Sequence, residues 1–126
     1  MSNRNRSVLL AGIALAAIVS GCARPSALVE EGTQATDSLR ATLREVGHAW
    51  LDGRVSDRFA LVALRRGERL AEDQRSSLAA SPETLADAAV AALADDCARL
   101  SRIAAELYDA VSRGDRTEAR TVLQRV

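Results

Sequence analysis

The sequence is poor in the groups that carry most recognition and catalysis. Of its 126 residues only Trp50, Phe59 and Tyr108 are aromatic. That is too few for the stacking platforms on which single-stranded nucleic acids lie. It has no lysine, and its 17 arginines are matched by 17 acids, so no basic excess is left to neutralise phosphates. Nucleic acid is therefore not an expected partner. Two cysteines cannot build a disulfide scaffold, and a single histidine cannot build a histidine-rich metal site. Gly-x-Ser-x-Gly, phosphate-loop and dinucleotide fingerprints are all missing. The reading is of a non-enzyme without a metal. What the chain does have is aliphatic bulk: 48% of residues are apolar and 27% charged, enough for one folded domain and too apolar for a disordered tail.

The first residues read as an address. Arg4 and Arg6 are followed by the uncharged run Val8–Val19 (VLLAGIALAAIV). Twelve residues of helix rise only about 18 Å, well short of the roughly 30 Å hydrocarbon core. A secretory signal fits better than a spanning helix. Small residues Ser20 and Gly21 then lead to Cys22.

Val19-Ser20-Gly21-Cys22 resembles the lipobox of bacterial lipoproteins. The resemblance implies cleavage between Gly21 and Cys22. It also implies diacylglycerol on the Cys22 thiol and a fatty acyl group on its new amino terminus. No other cofactor is expected. With Ala23 rather than aspartate next in line, the class implies the periplasmic face of the outer membrane in a Gram-negative cell, and otherwise the outer face of the cell membrane. Two or three acyl chains give stable anchoring. The division expected is a signal peptide at 1–21, a lipidated tether at 22–25, and a helical domain at 26–126. The tether reaches about 14 Å at most. The mature chain would keep 15 arginines against 17 acids.

That domain is expected to be all-α, an antiparallel bundle of three long helices and a short fourth, near 26–51, 56–80, 82–113 and 115–125. Leu28, Ala35, Leu39, Leu43, Val46 and Trp50 form one apolar stripe. Asp52-Gly53 ends it as a turn signal. Ser56 can cap the second helix, whose inward side is expected to hold Phe59, Val62, Ala63, Leu70 and Leu78. Ser81-Pro82-Glu83 has the composition of a helix start. Ala86, Val90, Leu93, Cys97, Leu100, Ala104, Leu107 and Val111 then recur by fours and threes. Gly114 stops that helix, and Asp115 and Glu118 have capping-box spacing for the last one, with Ala119, Val122, Leu123 and Val126 inward. Gly32, Gly47 and Gly67 weaken their helices but permit close approach. Residues 54–75 are net positive and 83–109 net negative, which favours pairing of the second and third helices.

Candidate chemistry is sparse. Glu45 and His48 have the Glu-x-x-His spacing of di-iron bundles, but the second copy of the motif that such sites need is missing. Cys97, at an apolar seam position, reads as a small buried hydrophobe. Asp95 and Asp96 point about 100° apart on a helix, so they do not converge as acid and base; Asp95 has the spacing to pair with Arg99. Arg65, Arg66 and Arg69, interleaved with Glu68 and Glu72, read as an exposed face. Antiparallel geometry would bring Trp50, Phe59 and Tyr108 together at the end far from the anchor.

Two functions follow. The first is a membrane-anchored accessory factor of the cell envelope that works by contact with a protein partner along an apolar stripe left open by the short last helix. The second is a lipid or small apolar ligand-binding module, with Trp50, Phe59 and Tyr108 lining the pocket and His48 as a polar contact.

Overall fold

The computed structural model describes residues 25–80 and 86–126. The expected signal peptide, the cleavage site at Gly21 and Cys22, and the Ser81-Pro82-Glu83 helix start lie outside the described residues. Within them the chain is all-α. The helices are α1 (Pro25–Leu51), α2 (Asp57–Ala79), α3 (Ala88–Arg113) and α4 (Arg116–Leu123).

Each described boundary has a local cause. The α1 end is a Schellman turn. Gly53 takes a positive φ of 71°, its N–H donates to the Trp50 carbonyl, and the Arg54 N–H reaches back to the Ala49 carbonyl. Ser56 then caps α2, its hydroxyl accepting from the Phe59 N–H at 3.2 Å. Asp87 caps α3 by accepting from the Ala89 N–H at 2.8 Å. The described helix thus begins at Ala88, and Ala86 is exposed in a turn instead of opening the apolar seam. A second Schellman turn ends α3. Gly114 has φ 67°, and the Asp115 N–H donates to the Ala110 carbonyl at 2.8 Å. Asp115 caps α4 by accepting from the Glu118 N–H at 2.9 Å. Its own N–H is already engaged by the preceding turn, so only half of the expected capping box forms.

The helices run up, down and up. Gly67 faces Leu43 and Asp57 meets Trp50, which sets α2 antiparallel to α1. Arg65 lies over Tyr108 while Leu78 packs with Val90 and Leu93, which sets α3 antiparallel to α2. Gly32 against Leu93 and Thr36 against Cys97 make α1 and α3 parallel neighbours. The most extensive pairing is between α2 and α3. A large apolar cluster fills the end containing Trp50, Leu64, Leu107 and Val122. A smaller one holds Leu78, Val90, Leu93 and Cys97.

The expected inward face of α2 is wrong by about a quarter turn. Phe59 is 56% exposed, Val62 65% and Leu70 51%. Leu78 is buried as expected and Ala63 half-buried, but the rest of the buried face is Ala60, Leu64, Gly67 and Ala71. The cause is steric. Leu100, Ile103 and Leu107 already bring bulk to the shared core from α3. Small side chains on α2 let the two backbones close to native packing density against them, which a Phe or Leu in the same places would prevent. Elsewhere the stripes fall as expected, except that Ala35 is exposed and Leu28, Leu39 and Val126 are only half-buried.

Charge does not order the bundle. Among the described residues no ion pair joins α2 to α3. Arg65 pairs with Glu68 and Arg75 with Glu72, both within α2. Arg40 of α1 bridges to Asp96 of α3, which also takes Arg99, while Arg125 reaches Glu106. Arg99 thus pairs with Asp96 three residues back and not with Asp95. Exposed pairs of this kind are worth under about 1 kcal/mol each, so apolar burial sets the neighbours.

Candidate functional site

Two regions hold the side chains to which function could attach. The first is the aromatic end. Trp50, on the last turn of α1, is 2% exposed. Its indole N–H donates to Asp57 Oδ1 at 2.7 Å. Asp57 is placed there because the Gly53 turn brings the first residue of α2 back over α1. Arg116, the first residue of α4, lies 5.2 Å from the Trp50 ring and donates to the Leu51 carbonyl at 2.6 Å. A cation at this helix C-terminus meets both the ring face and the negative end of the α1 dipole. The indole is therefore enclosed and hydrogen-bonded, the state of a structural plug.

Tyr108 joins the same apolar cluster from α3, half-buried, with the Arg65 guanidinium 4.1 Å from its ring centroid. Tyr108 and then Glu68 favour the charged form of Arg65 and raise its pKa. Phe59 does not join them. It lies on the outer face of α2, one turn past the Ser56 cap. His48 is exposed and points into a different recess, about 420 Å³, bounded by Leu51, Arg120 and Leu123 between α1 and α4. The four residues expected to share a pocket are thus split three ways: Trp50 in the core with Tyr108 half-buried against the same cluster, Phe59 outside, His48 on another face. Among the described residues no group of three or more His, Cys, Asp and Glu side chains is placed to hold a metal ion.

The second region is a groove of about 500 Å³ between α1 and α2. Ala35 and Leu39 form one wall, Ala63 and Leu70 the other, and Arg66 and Gln74 stand at the rim. Gly67 and Cys97 reach it from below. It exists because α2 commits its small-residue face to α3, leaving α1 in thinner contact, and because α4 docks on the other side of α1 through Leu123 at Gly47. Its floor is fully satisfied. Thr36 Oγ1 donates to the Gly32 carbonyl at 2.7 Å and lies 3.6 Å from Cys97 Sγ. The hydroxyl has one proton, given to Gly32, so the thiol is the donor in the second contact. Sequence periodicity missed this groove, because Leu39 and Leu70 both read as core. The one signal available was that α2 carries apolar residues on more than one face.

Compared with known proteins, the chain matches no family model, no curated protein and no solved structure.

Proposed function

We propose that this chain is an exported, lipid-anchored accessory protein of the bacterial cell envelope, whose helical domain acts by contact and not by catalysis. The observation that carries the reading is the opening segment: Arg4 and Arg6, the apolar run Val8–Val19, and Val19-Ser20-Gly21-Cys22. Charge, length and cysteine position agree with a lipoprotein signal and not with a spanning helix. No described helix is long and apolar enough to cross a membrane. Helix α1 is described from Pro25, three positions after Cys22, so a lipidated Cys22 would hold the domain close to its membrane. Short tethers keep a domain at its membrane.

Within this reading the α1 side of the α1–α2 groove, at Ala35 and Leu39, is the contact surface. It is an apolar surface that α4, docked on the other side of α1, leaves open, and it supports the reading over a pocket among the aromatics, where Trp50 is enclosed.

Mass spectrometry of the N-terminus of the protein isolated from membranes tests the anchor. A chain starting at Cys22 with the mass of diacylglycerol and an acyl group is expected, and globomycin should accumulate the uncut precursor. An unmodified Cys22, or cleavage elsewhere, removes the anchoring argument. Photo-crosslinkers at Ala35 and Leu39 should capture the same partner in native membranes. Those at Arg102, on the far side of the bundle, should not.

A further inference from the structure

The three large apolar side chains that the described residues leave exposed, Phe59, Val62 and Leu70, all lie on α2. At about 100° per residue they fall within an arc of about 80°, on the side turned away from α3. Arg66 lies in the middle of that arc, with Arg58 and Arg69 along one edge. Among the described residues none of these three arginines has an acidic partner, whereas Arg65 and Arg75 are held by Glu68 and Glu72. Asp73 is the one carboxylate inside the arc. The outer face of α2 is therefore apolar and cationic together, the pattern of a helix that lies in a membrane interface.

We propose that α2 rests on an anionic phospholipid leaflet, with Phe59, Val62 and Leu70 entering the headgroup boundary and Arg58, Arg66 and Arg69 on lipid phosphates. Charge complementarity selects this occupant. A second copy of the chain would set Arg66 against its own counterpart in an antiparallel pairing. Three side chains over about 16 Å of helix also fall far short of the roughly 800 Å² per partner that a stable protein interface buries. A leaflet asks for less. The inference rests on the anchored reading, in which Cys22 already holds the domain at the bilayer and a basic apolar patch supplies the second signal. The bundle then lies along the leaflet instead of standing on it.

The full chain isolated from membranes is the material for the test. Val62→Cys carries an environment-sensitive fluorophore, and Arg102→Cys carries the same label on the far side. Each is reconstituted into vesicles of phosphatidylglycerol mixed with phosphatidylcholine, and into phosphatidylcholine alone, with doxyl-labelled lipid as quencher. Position 62 should blue-shift and be quenched on the anionic vesicles, and position 102 should not. Replacing Arg66 and Arg69 by Gln should lower the docked-to-undocked ratio by about tenfold or more, since each basic residue near such a surface contributes about 1 kcal/mol. Circular dichroism confirms that these exposed changes leave the helices intact. A label at 62 that stays aqueous on anionic vesicles overturns the proposal. So does equal quenching in both lipids, or a label already shielded without lipid in a particle of doubled mass. The mass of Cys22 is read separately, so a missing anchor and an undocked α2 are distinguishable.

Discussion

Leu123 of α4 sits astride Gly47 of α1. A Cβ built on Gly47 would lie 2.6 Å from one Leu123 methyl, 2.9 Å from the other and 3.1 Å from the Cγ between them. The three contacts differ in consequence from those at the other helical glycines. At Gly67 only one Leu43 methyl intrudes, at 2.9 Å, and at Gly32 one Leu93 methyl, at 2.5 Å. A single methyl can swing aside; a side chain blocked at both branches must move as a whole.

Alanine at these positions therefore separates two opposed effects. Helix propensity favours alanine over glycine by about 1 kcal/mol, while overpacking costs about 1–3 kcal/mol. Gly47→Ala should be net destabilising by about 1–2 kcal/mol, Gly32→Ala by less, and Gly67→Ala should be close to neutral. Urea unfolding ranks them. Combining Gly47→Ala with Leu123→Ala should recover part of the loss, because the truncated side chain no longer blocks the new methyl. Additivity of the two would show that the notch is not what fixes α4.

Helix boundaries were legible in the sequence wherever one residue type enforces one backbone state. Gly53 and Gly114 occupy left-handed turns that other residues resist, and Ser56 and Asp115 present cap acceptors. The seam from Val90 to Val111 was legible too, because α3 is buried on one continuous stripe. The rotation of α2 was not. Periodicity weighs residues by hydrophobicity, and Phe59, Val62 and Leu70 outweigh Ala60, Gly67 and Ala71 on that scale. The fold chose the small face because α3 already brings the volume. At the aromatic end Trp50 and Tyr108 do join one cluster, but placing a residue at one end of a bundle does not place its side chain inside, and Phe59 stays on the outer face. The proposed lipidation of Cys22 and the proposed export rest on local sequence alone and do not depend on how the helices pack.

The Trp50–Asp57 hydrogen bond should hold the α1–α2 turn closed. Asp57→Ala leaves a largely enclosed indole N–H without its acceptor, which costs about 1–3 kcal/mol. Asp57→Asn keeps an acceptor oxygen and should cost less. As Trp50 is the chain's single tryptophan, its emission should shift to the red in Asp57→Ala before global unfolding and stay near wild type in Asp57→Asn. Equal stability of all three proteins would mean that water replaces the carboxylate at no cost.

Cys97 should behave as a protected thiol. It is 1% exposed and donates to Thr36. Reaction with a water-soluble disulfide reagent should proceed only through opening of the α1–α3 contact, and its rate should climb with urea. Thr36→Val preserves volume but removes the acceptor, at a cost of about 1 kcal/mol. It should accelerate labelling by about fivefold at fixed urea if labelling follows the opening equilibrium. Rapid reaction of the wild-type thiol in native buffer would contradict the closed floor.

Acid should act on the outer side of α2 through Glu72. Arg75 donates to both of its carboxylate oxygens, at 3.1 Å from Nε to one and 2.5 Å from Nη2 to the other. Those hydrogen bonds hold the Glu72 pKa below the ordinary 4.5 and raise that of Arg75, so the cation persists throughout the accessible range. A carboxylate depressed in the folded state contributes stability that is present above its unfolded value and is lost as pH falls through the folded one. The window thus opens just above 4.5 and extends downward. Because the pair is solvent-exposed and screened, the contribution is small and should shrink further in high salt. Carbon-detected NMR titration of the Glu72 carboxyl should give a midpoint below 4.5 in the native chain and a return toward it in Arg75→Gln. Glu72→Gln should flatten the fall in stability below that pH and leave stability near neutrality almost unchanged. A Glu72 midpoint that ignores the loss of Arg75 would remove the pair as the cause.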